Sequence, residues 1–202
     1  MSQIEGGTRQ RMSYEDRHEQ LLDTARTFIR RDGSDALTLA LLADDAGVTK
    51  PLVYQHFGTK AAVLVELYRE FKNRTHEALD AALETADNSL SAISRVIADA
   101  YIDCIDIEST EVPGVGGALS GSVELEALRD EADIAFSARC KKALAPYASH
   151  GEISDAAVQG ILGAADGIAR ALVLEQVSFS EGRAALADVI AGVTLNAAAD
   201  DS

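Results

Sequence analysis

Side chains suited to nucleic-acid contacts crowd into a short stretch of the chain that starts at Thr49. On a helix, Val53 and Phe57 would face a core, while the polar and aromatic residues around them would share an outward face. Amino, hydroxyl, amide and imidazole groups on such a face can contact phosphates and base edges in a DNA groove. A helical hairpin with a merely solvated polar face is the alternative interpretation. The outward residues are Lys50, Tyr54, Gln55 and His56.

The local charge favours the DNA interpretation. No Asp or Glu occurs in residues 46–65, although the whole chain holds 33 of them. Residues 1–74 have balanced charge, whereas the remainder carries the entire net charge of −15. This asymmetry would turn the neutral part toward phosphates and the acidic part away from them, although ordinary acidic solubility explains it equally well.

The residues on either side of a glycine turn predict the elements that hold this face. Thr38 can cap a first helix, Gly47 can turn the chain sharply after it, and Val48 can pack beneath the turn. Thr49 can then cap a second helix, and Pro51 fits its first turn, where backbone donors have no helical partner to lose. Two helices joined in this way form a helix-turn-helix. The inward stripe of the first helix is Leu39, Leu42, Ala43 and Ala46.

Residues 46–60 resemble the helix-turn-helix signature of the TetR family of ligand-responsive transcriptional repressors. The resemblance extends back through an amphipathic helix that ends before Gly33, and forward through Leu64, Leu67, Tyr68 and Phe71. It is specific over about residues 14–72, and beyond them the chain agrees with the family only in length and helical character.

The resemblance implies a role for each residue of the motif. Phosphates would be held by Thr49, Tyr54, His56 and Lys60, and base edges would be approached by Lys50, Leu52 and Gln55. The chemistry agrees, because lysine can bond guanine, glutamine can bond adenine, and leucine offers apolar contact to a thymine methyl group. The predicted DNA-binding set is Thr38, Thr49, Lys50, Pro51, Leu52, Tyr54, Gln55, His56 and Lys60.

Length and composition predict an all-α fold, because the 202 residues include 47% hydrophobic residues, only three prolines and almost no strand-like pattern. We expect a flexible arm at residues 1–13, which contains Arg9 and Arg11, and a three-helix DNA-binding domain with the helix-turn-helix at residues 14–59. A larger C-terminal helical domain for ligand binding and dimerisation would occupy residues 60–202. No apolar run approaches the ~20 residues of a membrane span and no apolar signal core is present, so we expect a cytoplasmic protein with no membrane partner.

Apolar spacing predicts helices in the C-terminal part at about residues 60–86, 90–108, 122–146, 152–177 and 181–198, with Ser122 as the cap of the third. An interruption is expected from Pro113 to Gly117. The family resemblance implies a pocket here for a small-molecule effector that the sequence does not identify, with the segment around Val115 as a mobile mouth. Core packing explains the aromatic residues equally well or better. The candidate lining residues are Tyr101, Cys104, Phe136 and Asp166.

Small residues recur at steps of three or four in residues 152–177, so the backbone there could approach a neighbour closely. Glycine is about 1 kcal/mol worse than alanine inside a helix, which indicates a packing reason for the repeated glycines. Close packing within one subunit is the alternative. The resemblance implies that the last two helices pair with their copies in a four-helix bundle, giving a homodimer. The predicted dimer residues are Ala157, Gly160, Ala164, Gly167, Ala171, Leu186 and Ile190.

Catalysis is the least favoured class of function. Glu15 and His18 form one Glu-x-x-His pair, but a dimetal carboxylate site in a helical bundle needs two such pairs and two further glutamates. No side chain stands in a recognisable nucleophile setting. Cys104 and Cys140 are expected to be reduced packing residues, since they lie far apart in a cytoplasmic chain. We therefore expect no catalytic residue, no metal and no cofactor.

The sequence thus predicts a ligand-responsive, sequence-specific transcriptional regulator that binds a double-stranded DNA operator as a homodimer, and a repressor that a small-molecule inducer releases. A helical dimer that acts through a protein partner without reading DNA is the main alternative. The operator, the effector, the sign of regulation and the regulated genes do not follow from these patterns.

Overall fold

The structure, a computed structural model, describes residues 12–118, 123–148 and 151–196. These residues form helices with no strand among them, as the all-α prediction requires. The predicted arm residues Arg9 and Arg11 and the predicted cap Ser122 lie outside the described residues. The helices are α1 (Tyr14–Asp32), α2 (Leu39–Asp45), α3 (Lys50–Phe57), α4 (Lys60–Thr85), α5 (Leu90–Glu111), α6 (Val115–Ala118), α7 (Val123–Leu144), α8 (Asp155–Val173) and α9 (Phe179–Asn196), with a 3-10 turn at Ala145–Tyr147.

Side-chain hydroxyls fix the start of most long helices. Ser13 accepts a hydrogen bond from Asp16 N at 3.0 Å and begins α1, and Thr59 accepts one from Ala62 N at 3.1 Å and begins α4. Ser89 and Ser154 begin α5 and α8 in the same way. Each hydroxyl satisfies a backbone donor that has no partner inside its helix, so these starting points are encoded locally.

The first four helices supply most of one core. Leu21, Ile29, Leu42 and Val53 have no exposed surface within it. The first half of α4 completes this core with Val63, Leu64, Leu67, Tyr68 and Phe71. Because the same helix continues past it, α4 is a rigid connection between the N-terminal core and the rest of the chain.

The second core lies among α5, α7, α8 and α9. Ile97, Ile102, Leu144, Ile161 and Ile190 are at most 1% exposed in it. Helix α4 reaches this core through Leu79. The two cores therefore share one long helix, and a displacement of α4 in one would be transmitted to the other.

The glycine-rich segment after α5 differs from its prediction. The expected interruption is present, because α5 ends at Glu111 and Gly114 has φ 73°. The chain then forms the short helix α6 rather than a mobile mouth. Val112 and Val115 are 1% and 0% exposed and belong to the N-terminal core, so burial of these two side chains holds the segment in place.

Helix α8 is the one described helix that is long and apolar enough to cross a membrane, with a mean hydropathy of 1.3. Only 22% of this window is buried within the chain. The helix contains no long uninterrupted apolar run, because Gln159, Asp166 and Arg170 divide its aliphatic residues. A core helix of a globular protein or a helix at a subunit interface can have the same length and hydropathy, so these two properties do not assign α8 to a membrane.

Candidate nucleic-acid interface

A glycine turn sets the angle between α2 and α3. Gly47 has φ 65°, a conformation that costs a residue with a Cβ about 1–2 kcal/mol. Val48 N donates to Ala43 O at 3.0 Å, which closes the end of α2, and the Val48 side chain packs against the N-terminal core. The predicted turn is therefore present, with glycine at the position that requires it.

Helix α3 is anchored on one side and free on the other. Val53 and Phe57 are 0% and 7% exposed, whereas Tyr54 is 54% exposed. Leu52 is half-buried. The exposed neighbours on the same helix include Lys50, Pro51 and Gln55. The structure thus brings most of the predicted reading residues onto one accessible surface, which we call the reading face: Lys50, Pro51, Leu52, Tyr54, Gln55 and His56.

The two threonines of the motif differ in how their hydroxyls are used. Thr38 caps α2 by accepting a hydrogen bond from Leu41 N at 3.2 Å. Thr49 occupies the N-cap position of α3, but its hydroxyl makes no capping hydrogen bond, contrary to the prediction. Pro51, in the first turn, has no N–H to offer, which removes one of the donors that such a cap would satisfy. The exposed Thr49 hydroxyl therefore remains available to another group.

His56 does not face outward as freely as the sequence predicted. Its ring stacks on Tyr14 of α1 at a centroid distance of 4.1 Å, and its Nδ1 lies 3.3 Å from Nδ1 of His18. Sequence reasoning missed Tyr14 as a neighbour of this site, although Tyr14 and His18 are four residues apart and so share one face of α1. The phosphate contact of His56 stays a prediction.

Lys60 stands at the first position of α4, beside the reading face. Its Nζ donates to the backbone oxygen of Asp35 at 3.1 Å, which ties α4 to the loop before α2. A cation at this position adds to the partial positive charge of the helix start, and the two together favour an anion nearby.

Charges around the reading face are only partly neutralised. Arg31 is paired with Asp32 and Asp45 on α1 and α2, at 2.7 and 2.9 Å. Within the described residues no ion pair or hydrogen bond engages the ammonium of Lys50, and this side chain is exposed. Lys50 is thus a free positive charge at the start of a helix whose N-terminus is itself partly positive.

Comparison with known proteins supports this geometry. Residues 21–67, which span α1 to the first part of α4, match the family model described as bacterial regulatory proteins, tetR family. Over these residues the chain is similar to the tetR family. Over 107 residues it is 34% identical to the HTH-type transcriptional activator FasR of Mycolicibacterium smegmatis, and the alignment covers 52% of this chain and 48% of FasR.

Solved structures of transcriptional regulators are similar to the whole fold. A tetR-family transcriptional regulator from Streptomyces coelicolor has a TM-score of 0.70 at 21% identity, covering 94% of this chain and 85% of that one. The transcriptional regulator FadR from Bacillus subtilis, solved in complex with stearoyl-CoA, has a TM-score of 0.65 at 18% identity, covering 88% of this chain and 97% of that one. At such identities the likeness describes the fold alone.

Three of the four predicted pocket residues line one small cavity. Tyr101, Cys104 and Phe136 surround a space of about 60 Å³ between α4, α5 and α7. Asp166 does not line it, but it accepts a hydrogen bond of 2.7 Å from the Tyr101 hydroxyl. Burial and this hydrogen bond raise the pKa of Tyr101 above its ordinary value, so the hydroxyl keeps its proton.

Two basic residues of α4 also line this cavity, and sequence reasoning missed both. Lys72 Nζ lies 3.5 Å from Cys104 Sγ and 3.7 Å from Glu108. Burial lowers the pKa of Lys72, but Cys104, Tyr68 and Glu108 outweigh it, so the net pKa is raised. Burial, Arg139 and Lys72 lower the pKa of His76. The sequence signal for both residues is a basic side chain on the side of α4 that otherwise carries apolar residues.

A wider surface groove lies beside this cavity, between α4, α5 and α7. Its volume is about 700 Å³, and Leu83, Ile93, Ala143 and Tyr147 contribute apolar surface to it. Arg139 lies along one side of the groove. Its guanidinium donates two parallel hydrogen bonds of 2.9 Å to the carboxylate of Asp80 on α4. None of the four predicted pocket residues lines this groove.

The predicted dimer residues divide into two groups. Gly160 and Gly167 are exposed on α8 with open space where a Cβ would stand, and Ala157, Ala164 and Ala171 are half-buried. Leu186 and Ile190 are 1% and 0% exposed in the second core, so they are unable to contact a partner subunit, and this part of the prediction is wrong. Their spacing on α9 fits an internal core stripe as well as an interface stripe, and periodicity alone does not distinguish the two.

Proposed function

We propose that this chain is a cytoplasmic, sequence-specific DNA-binding regulator that works as a homodimer and changes its DNA affinity when a small molecule binds. The observation that carries this proposal is the reading face, which is held by buried Val53 and Phe57 and lies within the part of the chain that matches the family model. We propose no catalytic role for any residue.

On an operator, α3 would lie in the major groove. Lys50, Leu52 and Gln55 would approach base edges, because they lie on the side of α3 that Val53 and Phe57 leave free. Thr49, Tyr54, His56 and Lys60 would contact phosphates, and Thr49 has a free hydroxyl for this purpose. Thr38 and Pro51 would set the backbone of the two helices at the DNA surface.

The homodimer would form through α8 and α9. An apolar helix that is only 22% buried within its own chain needs another apolar partner, and a second copy of the same helix supplies one. Small residues along its exposed side would let two helices approach closely. We call this side the α8 stripe, and it consists of Ala156, Gly160, Gly163 and Gly167, followed by Leu174.

Exposed apolar residues at the ends of the two helices extend the same surface. Val173, Leu174 and Leu195 are 73%, 58% and 60% exposed. A four-helix bundle built from two copies of α8 and α9 would cover them, and it would place two reading faces on half-sites about 34–36 Å apart or at a small multiple of a helical turn.

The effector would act through α4. This helix carries Lys60 beside the reading face and Lys72 in the cavity, and ion pairs from Lys72 to Glu108 and from Arg74 to Glu111 fasten it to α5. A space of about 60 Å³ is far below the roughly 300–1,000 Å³ of typical ligand sites. An effector that bound in this cavity would therefore favour a state in which α4 moves relative to α5 and α7, which would change the separation of the two reading faces.

We propose repression released by an inducer as the mode of regulation. A bound dimer would block transcription by occupying promoter DNA, and the effector-bound state would have a lower operator affinity. FasR is named an activator. Binding of this chain to its operator would likewise activate transcription if the operator lay upstream of a weak promoter. The position of the operator decides between the two.

The decisive test is selection of bound fragments from a random DNA pool, followed by footprinting of the selected sequence. The expected result is a two-fold symmetric site, and a Gln55→Ala variant should select the same site with a relaxed base preference at one base pair in each half. A solvent-facing variant outside the reading face, Ser109→Ala on α5, serves as the control and should select the wild-type site. Enrichment of no sequence over the starting pool would overturn the proposal.

The effector test follows with the selected duplex. In vitro transcription from a promoter that carries the duplex measures the sign of regulation directly. Addition of long-chain acyl-CoA is the first arm, because the FadR structure holds stearoyl-CoA, and a library of apolar metabolite-like compounds is the second. If no compound that binds the protein changes its affinity for the duplex, effector control is wrong while DNA recognition stands.

A further inference from the structure

Three side chains from three helices form a chain of contacts behind the reading face. Glu66 of α4 lies 2.6 Å from Nε2 of His18 on α1, and Nδ1 of His18 lies 3.3 Å from Nδ1 of His56 on α3. Tyr14 covers the His56 ring at 4.1 Å, and Phe57 covers the His18 ring at 4.6 Å. We call Glu66, His18 and His56 the imidazole relay.

The relay restricts where protons can sit. An ionised Glu66 accepts a hydrogen bond and has none to give, so His18 must carry its proton on Nε2. If His18 is neutral, its Nδ1 is an acceptor, and His56 must then donate from Nδ1. A neutral His56 that carries its proton on Nδ1 has only a lone pair on Nε2.

This arrangement conflicts with a phosphate contact. A phosphate oxygen is an acceptor and needs a donor opposite it, but Nε2 of His56 is an acceptor in the neutral relay. Within the described residues no protein group hydrogen bonds with Nε2 of His56, so this atom is the one left for DNA. Two arrangements give Nε2 a proton: a doubly protonated His56 beside a neutral His18, or the reverse. Each needs one more proton than the neutral relay.

We propose that each DNA-binding domain takes up one proton when it engages DNA, and that His18 and Glu66 are positioning residues that impose this requirement on His56. This inference rests on the proposed DNA-binding function. It makes operator affinity depend on pH in the range where histidine titrates, independently of the small-molecule effector.

The surroundings of His56 agree with proton uptake on binding. Burial, His18 and Arg17 lower the pKa of His56, whereas Glu66 raises it, and the net pKa lies below the ordinary value. Tyr14 and Phe57 contribute uncharged rings. His56 of the free protein is therefore neutral near pH 7, and an approaching phosphate would favour its protonated form.

The sign of the pH dependence follows. Protonation and DNA binding favour each other, so affinity is highest at acidic pH and falls as pH rises through the pKa of the DNA-bound state. A second proton would place N–H donors on both facing Nδ1 atoms, which repel. Affinity should therefore pass through a maximum rather than continue to rise in acid.

The first experiment examines the free protein by ¹⁵N NMR of the imidazole rings, with His76 as an internal reference. At mildly alkaline pH we expect His18 with its proton on Nε2 and His56 with its proton on Nδ1. The second is the less common tautomer in water, so its presence would be diagnostic. A His56 ring with its proton on Nε2 at that pH would overturn the relay without any reference to DNA.

The second experiment measures affinity for the duplex selected from the random pool, by fluorescence anisotropy at constant ionic strength. For the wild type we expect affinity to fall about tenfold or more per DNA-binding domain between about pH 6 and about pH 8, the worth of one charge-assisted hydrogen bond. Binding heats in buffers of different ionisation enthalpy should give one proton taken up per domain.

Two variants separate positioning from mere packing. In Glu66→Gln the amide can donate to His18 Nε2, which reverses both tautomers and gives His56 a proton on Nε2 without any proton uptake. We expect this variant to bind at neutral pH as the wild type does in acid, with a flat pH profile. His56→Gln should also have a flat profile, but at the lower affinity of the alkaline wild type.

Each result has a defined meaning. A wild-type profile that is flat, or a Glu66→Gln profile as steep as that of the wild type, would overturn the proton requirement and leave DNA recognition intact. Failure of the wild type to bind any duplex at any pH would overturn the proposed function and the DNA linkage together, while the NMR tautomers would still decide the state of the relay.

Discussion

The N-terminal and C-terminal parts of this chain are held together by different kinds of interaction. In the N-terminal part, hydroxyl caps, the Gly47 turn and a short apolar stripe fix α1 to α3 by interactions between residues close in sequence. In the C-terminal part, α5, α8 and α9 are held by apolar contacts between residues far apart. In the proposed function, DNA recognition would therefore use a locally specified surface, whereas effector response and dimerisation would use surfaces that exist only after the body has folded.

Charge separates the same two parts. Residues 1–74 are neutral in total, and the remainder carries the net charge of −15. An acidic body attached to a neutral DNA-binding domain disfavours binding in any orientation except the one that presents the reading face. The difference implies that substitutions in the N-terminal part should change DNA binding, whereas substitutions in the C-terminal part should change assembly or stability.

The largest expected effect is on assembly. Gly163→Arg places a long cation on the α8 stripe, where open space surrounds the glycine in the single chain, so folding should be preserved. We expect a monomer by light scattering. Operator affinity should drop by roughly 10²–10⁴-fold, because the second half-site no longer adds to binding.

The control for this variant is Ala81→Arg, which makes the same kind of change on an exposed face of α4. It should leave a dimer with full affinity. If Gly163→Arg stays dimeric, the interface lies elsewhere and the comparison between the stripe and the rest of the body fails.

The second prediction distinguishes the core side of α9 from its outer side. Leu186→Ala removes a side chain that is 1% exposed and should lower the free energy of unfolding by about 2–5 kcal/mol. Urea unfolding in the monomeric Gly163→Arg background measures it without a contribution from dimer dissociation. Leu195→Ala on the same helix, at a position that is 60% exposed, should change this free energy little and weaken the dimer instead. If Leu186→Ala and Leu195→Ala lowered the free energy of unfolding equally, the distinction between a core side and an interface side of α9 would be wrong.

The third prediction concerns the reading face alone. Gln55→Ala should reduce discrimination at one base pair by ~1–3 kcal/mol, because a side chain that contacts a base edge is lost. Lys60→Ala should weaken binding to selected and random duplexes alike and reduce the salt slope by about one. Anisotropy titrations at several salt concentrations with both duplexes test this. If both variants affect the two duplexes equally, the division between base and phosphate contacts is wrong.

The local character of the N-terminal part explains why it could be predicted from the sequence. Three of its features depend only on residues close in sequence, and the structure has all three as predicted. They are the turn at Gly47, the helix cap at Thr38 and the burial of Val53 and Phe57. His56 is the exception, because its half-buried position is set by Tyr14 and His18 on another helix. No local pattern in α3 contains that information.

The body could be predicted only in outline. Its helices lie close to the expected ranges, since caps such as Ser89 and Ser154 are local. The partners of each helix are not local, and this is why Leu186 and Ile190 were assigned to the wrong side of α9. The predicted mouth failed for the same reason, because Val115 is buried by residues of the N-terminal core rather than by its own neighbours in sequence.

The smallest expected effect is a pH dependence of folding that arises in the body rather than at the reading face. Burial, with Arg139 and Lys72 nearby, lowers the pKa of His76 below its ordinary value of 6.5, so the unfolded chain takes up this proton first as pH falls. The stabilisation is therefore complete above the ordinary pKa and is lost as pH falls through the folded one.

His76→Gln should accordingly show a shallower loss of unfolding free energy than the wild type in urea titrations below about pH 6.5. The difference between the two proteins is the quantity to follow, because protonation of the many carboxylates of the acidic body also changes stability in that range. His56 has a pKa shifted in the same direction, but its titration should appear in DNA binding as well. If His76→Gln changed the pH dependence of DNA binding as strongly as His56→Gln, the two parts of the molecule would not be separable, and the proton requirement would have to be assigned to α4 as a whole.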